Sequence, residues 1–385
     1  MEDIDNAPTL PPAPVPADKA RLRAFLNALP EPVLVIGAER RIELANPAAL
    51  ELLGPGLEGA QALAQIRQPE PVAMLEAGFA HLANPAAPAG PFEARKIVAS
   101  ASSETIYRMT VAPLAPEAGF AGLLVCFHDV SHVEEAEQQR RDFVANVSHE
   151  MRSPLTVLAG FIETLRGPAK DDPVARENFL SIMEREAQRM TRLVSDLLSL
   201  SKVESAEKVR PRNPVALSEV LRATLAALRP LTEDAGITVN FTDLPDAAPI
   251  PGDRDQLVQV FHNLIENAVK YGASGGRIEI EMAQTDNVPG MTGPVLRVSV
   301  RDFGDGIDPI HLPRLTERFY RVDGHRSRAK GGTGLGLAIV KHIISRHRGK
   351  LAIRSARGEG STFTVFLPGA PLCATACHTT VTPPA

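Results

Sequence analysis

The chain has 385 residues, of which 44% are hydrophobic and 23% charged, with a formal net charge of −5 at pH 7. This length predicts two or three domains, each large enough to bury its own core. The slightly acidic balance gives no electrostatic case for nucleic acid or anionic lipid, and three cysteines argue against a disulfide framework. No apolar run approaches the ~18 residues that span a bilayer and no leader opens the chain, so a cytoplasmic protein is expected.

The first part of the chain predicts a sensor-sized α/β module. Residues 1–20 are rich in Pro, Ala and Asp, which predicts a disordered tail. Residues 21–130 then predict a mixture of short helices and strands. The helices are expected at 21–29, 48–53 and 71–82, and the strands at 32–36, 41–45, 93–99, 106–113 and 122–128. This order, with LPEPVLVI at 29–36 and IELANPAA at 42–49, resembles a PAS domain, a fold that often holds a small ligand between helices and sheet.

A long helix is predicted from residue 131 to about 166, with a nucleophile on its outer side. Apolar residues three or four apart occupy a sector of about 80°; they are Val144, Val147, Met151, Leu155, Leu158, Ile162 and Leu165. His149 points about 170° away from the middle of that sector, with Glu150 beside it and Ser153 one turn further on. Pro154 predicts a kink near Glu150. An exposed imidazole flanked by a carboxylate on a bent helix suits a nucleophile that meets two partners in turn.

A second helix is predicted after a turn at 167–172, with Asp172 as its N-cap. Its own apolar seam again has four-three spacing; the seam is Met183, Ala187, Met190, Val194 and Leu197. Residues 131–206 are therefore predicted to form an antiparallel helical hairpin. A lone hairpin leaves its apolar stripe half covered, so pairing with a second copy into a four-helix bundle, and hence a homodimer, is expected.

The remaining chain predicts a linker, a larger α/β domain and a tail. Residues 210–214 are rich in Pro and Arg, and residues 212–369 alternate helices with strands, which predicts an α/β two-layer sandwich. Residues 370–385 are expected to be a disordered tail. The tail holds Cys373, Cys377 and His378, but three candidate ligands in such a segment make a weak case for a metal site.

Three segments of the α/β domain carry polar or glycine-rich patterns that suit a nucleotide. On the helix predicted at 253–271, amide, carboxylate and ammonium groups three and four apart share one face; they are Asn263, Glu266, Asn267 and Lys270. The second segment, DFGDGI at 302–307, follows a strand, and by itself it is an ordinary turn signal. The third, GGTGLGLA at 331–338, frees backbone amides at a helix start, where phosphate binds well. Residues 319–330 suit a mobile lid.

The three segments, in this order and spacing, resemble the ATP-binding domain of the histidine kinase and Hsp90-type ATPase superfamily. Together with the segment around His149, the resemblance becomes specific to class I sensor histidine kinases and covers residues 142–368. The segments RFYRVD at 318–323 and VSHEMRSP at 147–154 are most similar to those of phosphate-regulon sensor kinases. The resemblance implies a PAS domain, a dimerising phosphotransfer hairpin and an ATP-binding domain in one chain.

The resemblance also implies roles on the first hairpin helix. His149 would take the γ-phosphoryl group of ATP on an imidazole nitrogen, with Glu150 as the base that orients the ring. The phosphoryl group would then pass to an aspartate of a response-regulator receiver domain. Ser153 stands where families that also dephosphorylate their regulator commonly carry Thr or Asn. Its hydroxyl keeps a means of positioning water, so phosphatase activity stays open at this point.

In the ATP-binding domain the resemblance implies a Mg²⁺ site and a phosphate cradle. Asn267 would hold the metal, Asn263 and Glu266 would support the metal and the attack geometry, and Lys270 would contact phosphate. Glu266 is also a second candidate ligand of Mg²⁺. The phosphate cradle would be the glycine loop, formed by Gly332, Thr333, Gly334, Leu335, Gly336 and Leu337.

For the base, the resemblance implies that Asp302 accepts a hydrogen bond from the adenine amino group and that Tyr271 borders the ring. Gly304, Gly306 and Ile307 would line this base pocket. Arg321 and Lys330 are the candidates for neutralising charge on the transferring group.

Other functions stay open from the sequence. A plain ATPase of the Hsp90 kind would share the nucleotide fold, and a dimeric pseudokinase scaffold would lack one of its nucleotide-binding groups. A sensor kinase for another cytoplasmic stimulus is a further alternative. Phosphate-sensing relatives often carry a membrane anchor, and none is recognised in this sequence. Either the anchor is absent from this protein, or the stimulus is cytoplasmic or reaches the chain through other proteins, such as membrane-associated partners. The stimulus, the PAS ligand, the cognate regulator and cis or trans phosphorylation cannot be read from the residues.

Overall fold

The computed structural model describes residues 17–83, 92–98, 105–114, 122–206, 209–286, 288–322 and 332–369. They fall into two compact units that divide between Asp142 and Phe143. Across these ranges, the helices are all too short or too polar to cross a membrane. The tail with Cys373, Cys377 and His378 lies outside the described residues.

The first unit is built on a five-stranded antiparallel sheet in the order β2-β1-β5-β4-β3. Its helices are α1 (Ala17–Asn27), α2 (Pro47–Leu53), α3 (Ala62–Gln65) and α4 (Pro69–Ala83), and its strands are β1 (Val33–Gly37), β2 (Ile42–Ala45), β3 (Phe92–Val98), β4 (Ile106–Leu114) and β5 (Gly122–Asp129). The predicted α/β sensor fold is confirmed. Helix α1 begins at Ala17, four residues before the predicted start, and the short α3 was not predicted.

A buried asparagine joins the elements at the start of this sheet. The side-chain Oδ1 of Asn46 accepts hydrogen bonds from the backbone N–H of Val33, at 2.9 Å, and from Ala49, at 3.0 Å, which caps α2. Its Nδ2 donates to the carbonyl oxygens of Leu26 and Glu31. A buried amide must find such partners, and here it fixes α1, β1 and α2 to one another.

The hairpin consists of two long helices, α5 (Ser131–Arg166) and α6 (Pro173–Ala206). Helix α5 continues through the buried Pro154, and the bend predicted there stays a prediction. The rings of Phe161 and Phe179 stack across the hairpin with centroids 4.8 Å apart. Part of the apolar seam is open to solvent in the single chain, at Val144, Leu155, Ile162 and Val194. Two further leucines of α6, Leu180 and Leu198, are also exposed.

The last part of the chain is a two-layer α/β sandwich, as predicted. Its main sheet has the order β11-β12-β10-β9-β7, and all neighbours are antiparallel except β7 and β9. The strands of this sheet are β7 (Thr238–Thr242), β9 (Arg277–Thr285), β10 (Val295–Asp302), β11 (Lys350–Ala356) and β12 (Gly360–Pro368), and the helices packed on it are α7 (Leu217–Asp234), α8 (Arg254–Gly272) and α9 (Gly336–Arg346). Two short 3₁₀ helices cover Ala273–Gly275 and Pro309–Arg314.

A small second sheet was not predicted from the sequence. Strand β6 (Asn213–Val215), which begins inside the predicted linker, pairs antiparallel with β8 (Ile250–Gly252). Strand β8 leads directly into α8, whose N-cap is Asp253; the Asp253 carboxylate accepts a hydrogen bond from the Gln256 amide at 3.3 Å. This sheet therefore sets where the polar face of α8 begins.

A buried histidine supports the same helix start. His347 is 1% exposed, and its Nε2 accepts a hydrogen bond from the Asp253 backbone N–H at 2.9 Å. Its Nδ1 lies 2.7 Å from the carbonyl oxygen of Ile343 and donates to it in the matching tautomer. Burial lowers the pKa of His347, because the charged ring would lose water and the acceptor at Nε2.

We expect this histidine to make the domain acid-sensitive. Below the unfolded-state pKa of about 6.5, the unfolded chain binds a proton at this position that the folded chain does not, so acid favours unfolding. His347 should contribute about 1 kcal/mol to the loss of stability between pH 7.5 and pH 5.5. Urea unfolding at both pH values should show a smaller loss in His347→Gln than in the unsubstituted chain. Equal losses in the two proteins would contradict the prediction.

Candidate nucleotide site

A cavity of about 470 Å³ opens between α8, the loop after β10, the start of α9 and helix α6. Most of its walls come from the α/β domain, while two lining residues belong to the helical hairpin. The lining residues are Arg192, Asp196, Gln259, His262, Asn263, Glu266, Asn267, Lys270, Tyr271, Asp302, Asp305, Gly306, Ile307, Leu315, Tyr320, Arg321, Val322, Gly332, Thr333, Gly334, Gly336, Leu337, Ser361 and Phe363. The size suits one small-molecule ligand.

Helix α8 presents its polar face to this cavity because its opposite face packs into the hydrophobic core of the domain. Phe261 and Leu264 are fully buried, and the residues between them in the helical repeat turn outward. The Nζ of Lys270 lies 2.9 Å from Oε1 of Glu266, so the ammonium and the carboxylate form an ion pair at the cavity wall. Asn263 donates from Nδ2 to the carbonyl oxygen of Gly336 at 3.4 Å, which ties α8 to the start of α9.

Asp302 is the last residue of β10. It is buried, with 4% of its surface exposed. Its Oδ1 accepts hydrogen bonds from the backbone N–H of Gly304 at 3.0 Å and of Ser361 at 3.3 Å. Burial raises the pKa of Asp302, because the charged form loses water, while the backbone hydrogen bonds act in the opposite direction. A carboxylate held in this way at a cavity wall can accept a hydrogen bond from a ligand amine.

The loop after β10 needs glycine at Gly306. This residue has φ +68°, a conformation that side chains with a Cβ rarely adopt. A Cβ added there would also overlap the carbonyl oxygen of Ala356, the last residue of β11 before the turn. The loop can therefore approach the neighbouring turn only without a side chain, and this close approach shapes the cavity floor.

The glycine loop leads from residue 332 into α9. Gly334 has φ +75°, and its carbonyl oxygen accepts a hydrogen bond from the Phe319 N–H at 2.8 Å. The Thr333 hydroxyl accepts a hydrogen bond from the Leu335 N–H at 3.3 Å. Helix α9 begins directly afterwards, so backbone amides and the positive end of the helix dipole lie at the cavity. This end of the cavity suits an anion.

The hairpin reaches the same end of the cavity through α6. The Thr333 hydroxyl donates a hydrogen bond to Oδ2 of Asp196 at 2.7 Å. Burial raises the pKa of Asp196, and the nearby carboxylate of Glu266 adds to this effect. The anion on the glycine loop in this structure is therefore a carboxylate of the chain itself.

A second contact between hairpin and α/β domain involves the neighbour of the predicted nucleophile. Oε2 of Glu150 lies 2.7 Å from a guanidinium nitrogen of Arg189 and 3.3 Å from one of Arg321. The same Arg321 donates to the carbonyl oxygen of Gly332 at 2.6 Å. Glu150 is thus engaged by two arginines, whereas His149 lies exposed on α5.

Three family matches divide the chain in the same order as these parts. Residues 252–371 match the family described as histidine kinase-, DNA gyrase B-, and HSP90-like ATPase. Residues 139–206 match the His Kinase A (phospho-acceptor) domain, and residues 20–83 match a PAS domain. The chain belongs to the class I sensor histidine kinases.

Named relatives of this histidine kinase agree with the assignment. It is 45% identical over 244 residues to the phosphate regulon sensor protein PhoR of Pseudomonas aeruginosa, over 63% of this chain and 53% of that protein. It is 31% identical over 362 residues to the sensor protein kinase WalK of Staphylococcus epidermidis, over 91% of this chain and 55% of that protein. The chain thus spans about half the length of the curated relatives it matches. A crystal structure of histidine kinase ThkA in complex with response regulator protein TrrA covers 90% of this chain at 22% identity and a TM-score of 0.49.

The structure of this histidine kinase brings most of the predicted nucleotide residues together around one cavity. The predicted residues that line it are Asn263, Glu266, Asn267, Lys270, Tyr271, Asp302, Gly306, Ile307, Arg321, Gly332, Thr333, Gly334, Gly336 and Leu337. Gly304 instead packs against the backbone of Tyr271, and Leu335 is fully buried in the core. Lys330 lies outside the described residues. His149 and Ser153 are exposed on α5 rather than in the described lining.

Several lining residues were not predicted from the sequence. Gln259 and His262 lie four residues before Asn263 and Glu266, so extending the periodicity of the predicted face by one turn would have found them. Arg192 and Asp196 come from the hairpin, and no local signal marks them, because their position depends on how the hairpin packs against the α/β domain.

Proposed function

We propose that this chain is an ATP-dependent protein-histidine kinase that phosphorylates its own His149. The observation that carries the proposal is the joint occurrence of an exposed His149 in a phospho-acceptor hairpin and the cavity at the glycine loop of an ATPase domain. In the transfer, an imidazole nitrogen of His149 forms a bond to the γ-phosphorus, the bond from that phosphorus to the β-phosphate oxygen breaks, and ADP leaves. The ring then loses its nitrogen-bound proton to solvent or to a base.

Asp302 would accept a hydrogen bond from the adenine amino group, while Tyr271 borders the ring. The buried carboxylate of Asp302, held by hydrogen bonds from the N–H groups of Gly304 and Ser361, suits this position. At the other end, Thr333 and the start of α9 offer a hydroxyl and backbone amides to phosphates. This arrangement orients the nucleotide with its base at β10 and its phosphates at α9.

The side chains on α8 fit a Mg²⁺ ion bound together with phosphates. Amide and carboxylate oxygens are hard donors that suit this ion, and Asn263, Glu266 and Asn267 share one wall of the cavity. We assign Asn267 as its ligand, with Glu266 as a second candidate and Asn263 in support. When bound, the ion neutralises charge on the phosphates, and Lys270 adds a positive charge at the same wall.

Glu150 and Arg321 would act in transfer only after a rearrangement. The Glu150 carboxylate is shared by Arg189 and Arg321 in this structure, so it is engaged away from the imidazole that it would orient. Release of both arginines would free Glu150 for His149, and the released guanidinium of Arg321 would then be available to the transferring group. Ser153 could position water for dephosphorylation of a regulator, since it lies exposed one turn from His149.

The partners follow from the same assignment. We propose that a second copy of this chain covers the exposed apolar seam of α5 and α6 in a four-helix bundle, because large apolar side chains are open along both helices. We further propose that the phosphoryl group passes to an aspartate of a response regulator. The 45% identity to a phosphate regulon sensor protein supports phosphate-dependent signalling.

Incubation of the purified chain with γ-labelled ATP and Mg²⁺ tests the central proposal. We expect label that is stable in alkali and lost in acid, as a phosphorus–nitrogen bond requires. His149→Gln should lose all retained label while still binding nucleotide, and Asn267→Ala should lose label because phosphates and metal are no longer positioned.

His132→Gln is the matched control, since His132 is exposed in the first turn of the same helix. It should retain label at the level of the unsubstituted chain. Hydrolysis of ATP without retained label, in the unsubstituted protein, would contradict the kinase and favour a plain ATPase.

A further inference from the structure

The glycine loop is hydrogen-bonded to the carboxylate of Asp196, a residue that has no part in the function proposed above. Thr333 donates its hydroxyl hydrogen to Oδ2 of Asp196 at 2.7 Å, and the Thr333 oxygen also accepts from the Leu335 N–H. Asp196 belongs to α6, 137 positions earlier in the chain. A hydroxyl and the amides at a helix start are the groups that bind phosphate oxygens in nucleotide sites. The carboxylate thus satisfies donors that a phosphate would need.

The charged groups around Asp196 oppose the binding of a nucleotide phosphate at the glycine loop. Asp196 and Glu266 interact unfavourably across the cavity, while Lys270 and Arg192 lie close enough to attract the Asp196 carboxylate. A nucleotide phosphate brought to the same loop adds negative charge beside Asp196 and seeks the same cations. Like charges a few ångströms apart in a partly buried site repel strongly.

The docking of α6 supports this contact over a wider surface. Leu193, Leu200 and Val203 of α6 are buried in one cluster with the core of the α/β domain. Glu204, in the last turn of α6, pairs with Arg318 at 2.7 Å. Asp196 is therefore held against the loop by the packing of its helix on both sides, rather than by a single hydrogen bond.

We propose that Asp196 takes the place of a nucleotide phosphate oxygen on the glycine loop, so that docking of α6 and binding of ATP oppose each other. The inference rests on the proposed ATP site and adds a regulation of that site by the hairpin. Because such coupling is reciprocal, docked α6 weakens ATP binding by the factor by which ATP weakens docking. Any movement of the hairpin that withdraws α6 would then raise the affinity for ATP.

Calorimetric titration of the full chain with a non-hydrolysable ATP analogue and Mg²⁺ tests the proposal. Asp196→Asn keeps the shape of the side chain and removes its charge, so we expect a dissociation constant lower by about tenfold. Glu177→Gln is the matched control, because it removes one negative charge from an exposed position on the same helix, about 28 Å away along the axis. Its dissociation constant should stay within about twofold of that of the unsubstituted chain.

The outcomes separate this inference from the proposed function. Equal or weaker binding by Asp196→Asn, in a chain whose unsubstituted form binds the analogue, would overturn the competition; a weaker value would make Asp196 a supporting group of the nucleotide or its metal. Absence of binding in both proteins would instead overturn the ATP site itself.

A measurement on the unsubstituted chain covers the case in which Asp196→Asn does not fold. We expect saturating analogue to speed amide hydrogen exchange in residues 193–203 by at least about threefold, because the released helix loses the cover of the α/β core. Unchanged or slower exchange there would overturn the proposal.

Discussion

Gly306→Ala is expected to weaken binding of a non-hydrolysable ATP analogue by more than about tenfold. The added Cβ would overlap the carbonyl oxygen of Ala356, a backbone atom that no side-chain rotation can move away. The loop after β10 would have to withdraw, and it would take with it Asp305 and Ile307, which line the cavity. Calorimetric titration with Mg²⁺ and the analogue measures this loss.

Gly236→Ala is the matched control for the backbone conformation. Gly236 follows α7 with φ +65°, close to that of Gly306, but no atom lies within 4 Å of an added Cβ. Both substitutions should lose about 1–2 kcal/mol of stability from the left-handed conformation alone. Only Gly306→Ala should lose nucleotide affinity. Similar affinities in the two variants would contradict the prediction that the close approach of Gly306 to Ala356 shapes the cavity.

Asp302→Asn is expected to weaken binding of the same analogue by about a hundredfold, equivalent to ~2.8 kcal/mol. The amide oxygen can keep the two backbone hydrogen bonds from Gly304 and Ser361, so the wall of the cavity should remain in place. The second position of the side chain becomes an N–H₂ group, which cannot accept from the adenine amino group. A buried donor then faces another donor, and this mismatch is costly.

The stability of Asp302→Asn against urea should be unchanged or higher, although its nucleotide binding is weaker. Burial raises the pKa of Asp302, so the charged form is disfavoured in the folded protein, and its neutral replacement should unfold at the same or a higher urea concentration. Asp234→Asn, an identical change at an exposed position on α7, should alter neither property. Loss of stability in Asp302→Asn with intact binding would show that Asp302 serves the fold alone.

Much of the fold follows from local pattern. The three-four spacing of Val144, Val147 and Met151 predicted α5, and the same geometry placed His149 on its exposed side, where the structure has it. The polar face of α8 followed in the same way from residues three and four apart, because helical periodicity depends only on the chain next to each residue. Both α/β domains were predicted correctly in class.

The elements that escaped prediction depend on distant partners. Strand β6 has three residues and becomes a strand only by pairing with β8, 35 or more positions away. The parallel pairing of β7 with β9 inside an otherwise antiparallel sheet has no local signature either. Such short strands lack the alternating pattern that a longer one would show, so tertiary pairing decides them.

For the site, local sequence patterns identify the groups that could meet a nucleotide, since glycine loops, a strand-end carboxylate and a polar helix face are local features. Two features follow only from the folded chain: Asp196 of the hairpin contacts the glycine loop, and Glu150 lies between Arg189 and Arg321. Asp196 and Thr333 are 137 positions apart, and Glu150 and Arg321 are 171 apart. Contacts at that separation arise from the packing of one domain on another, a three-dimensional fit that no periodicity within either segment encodes.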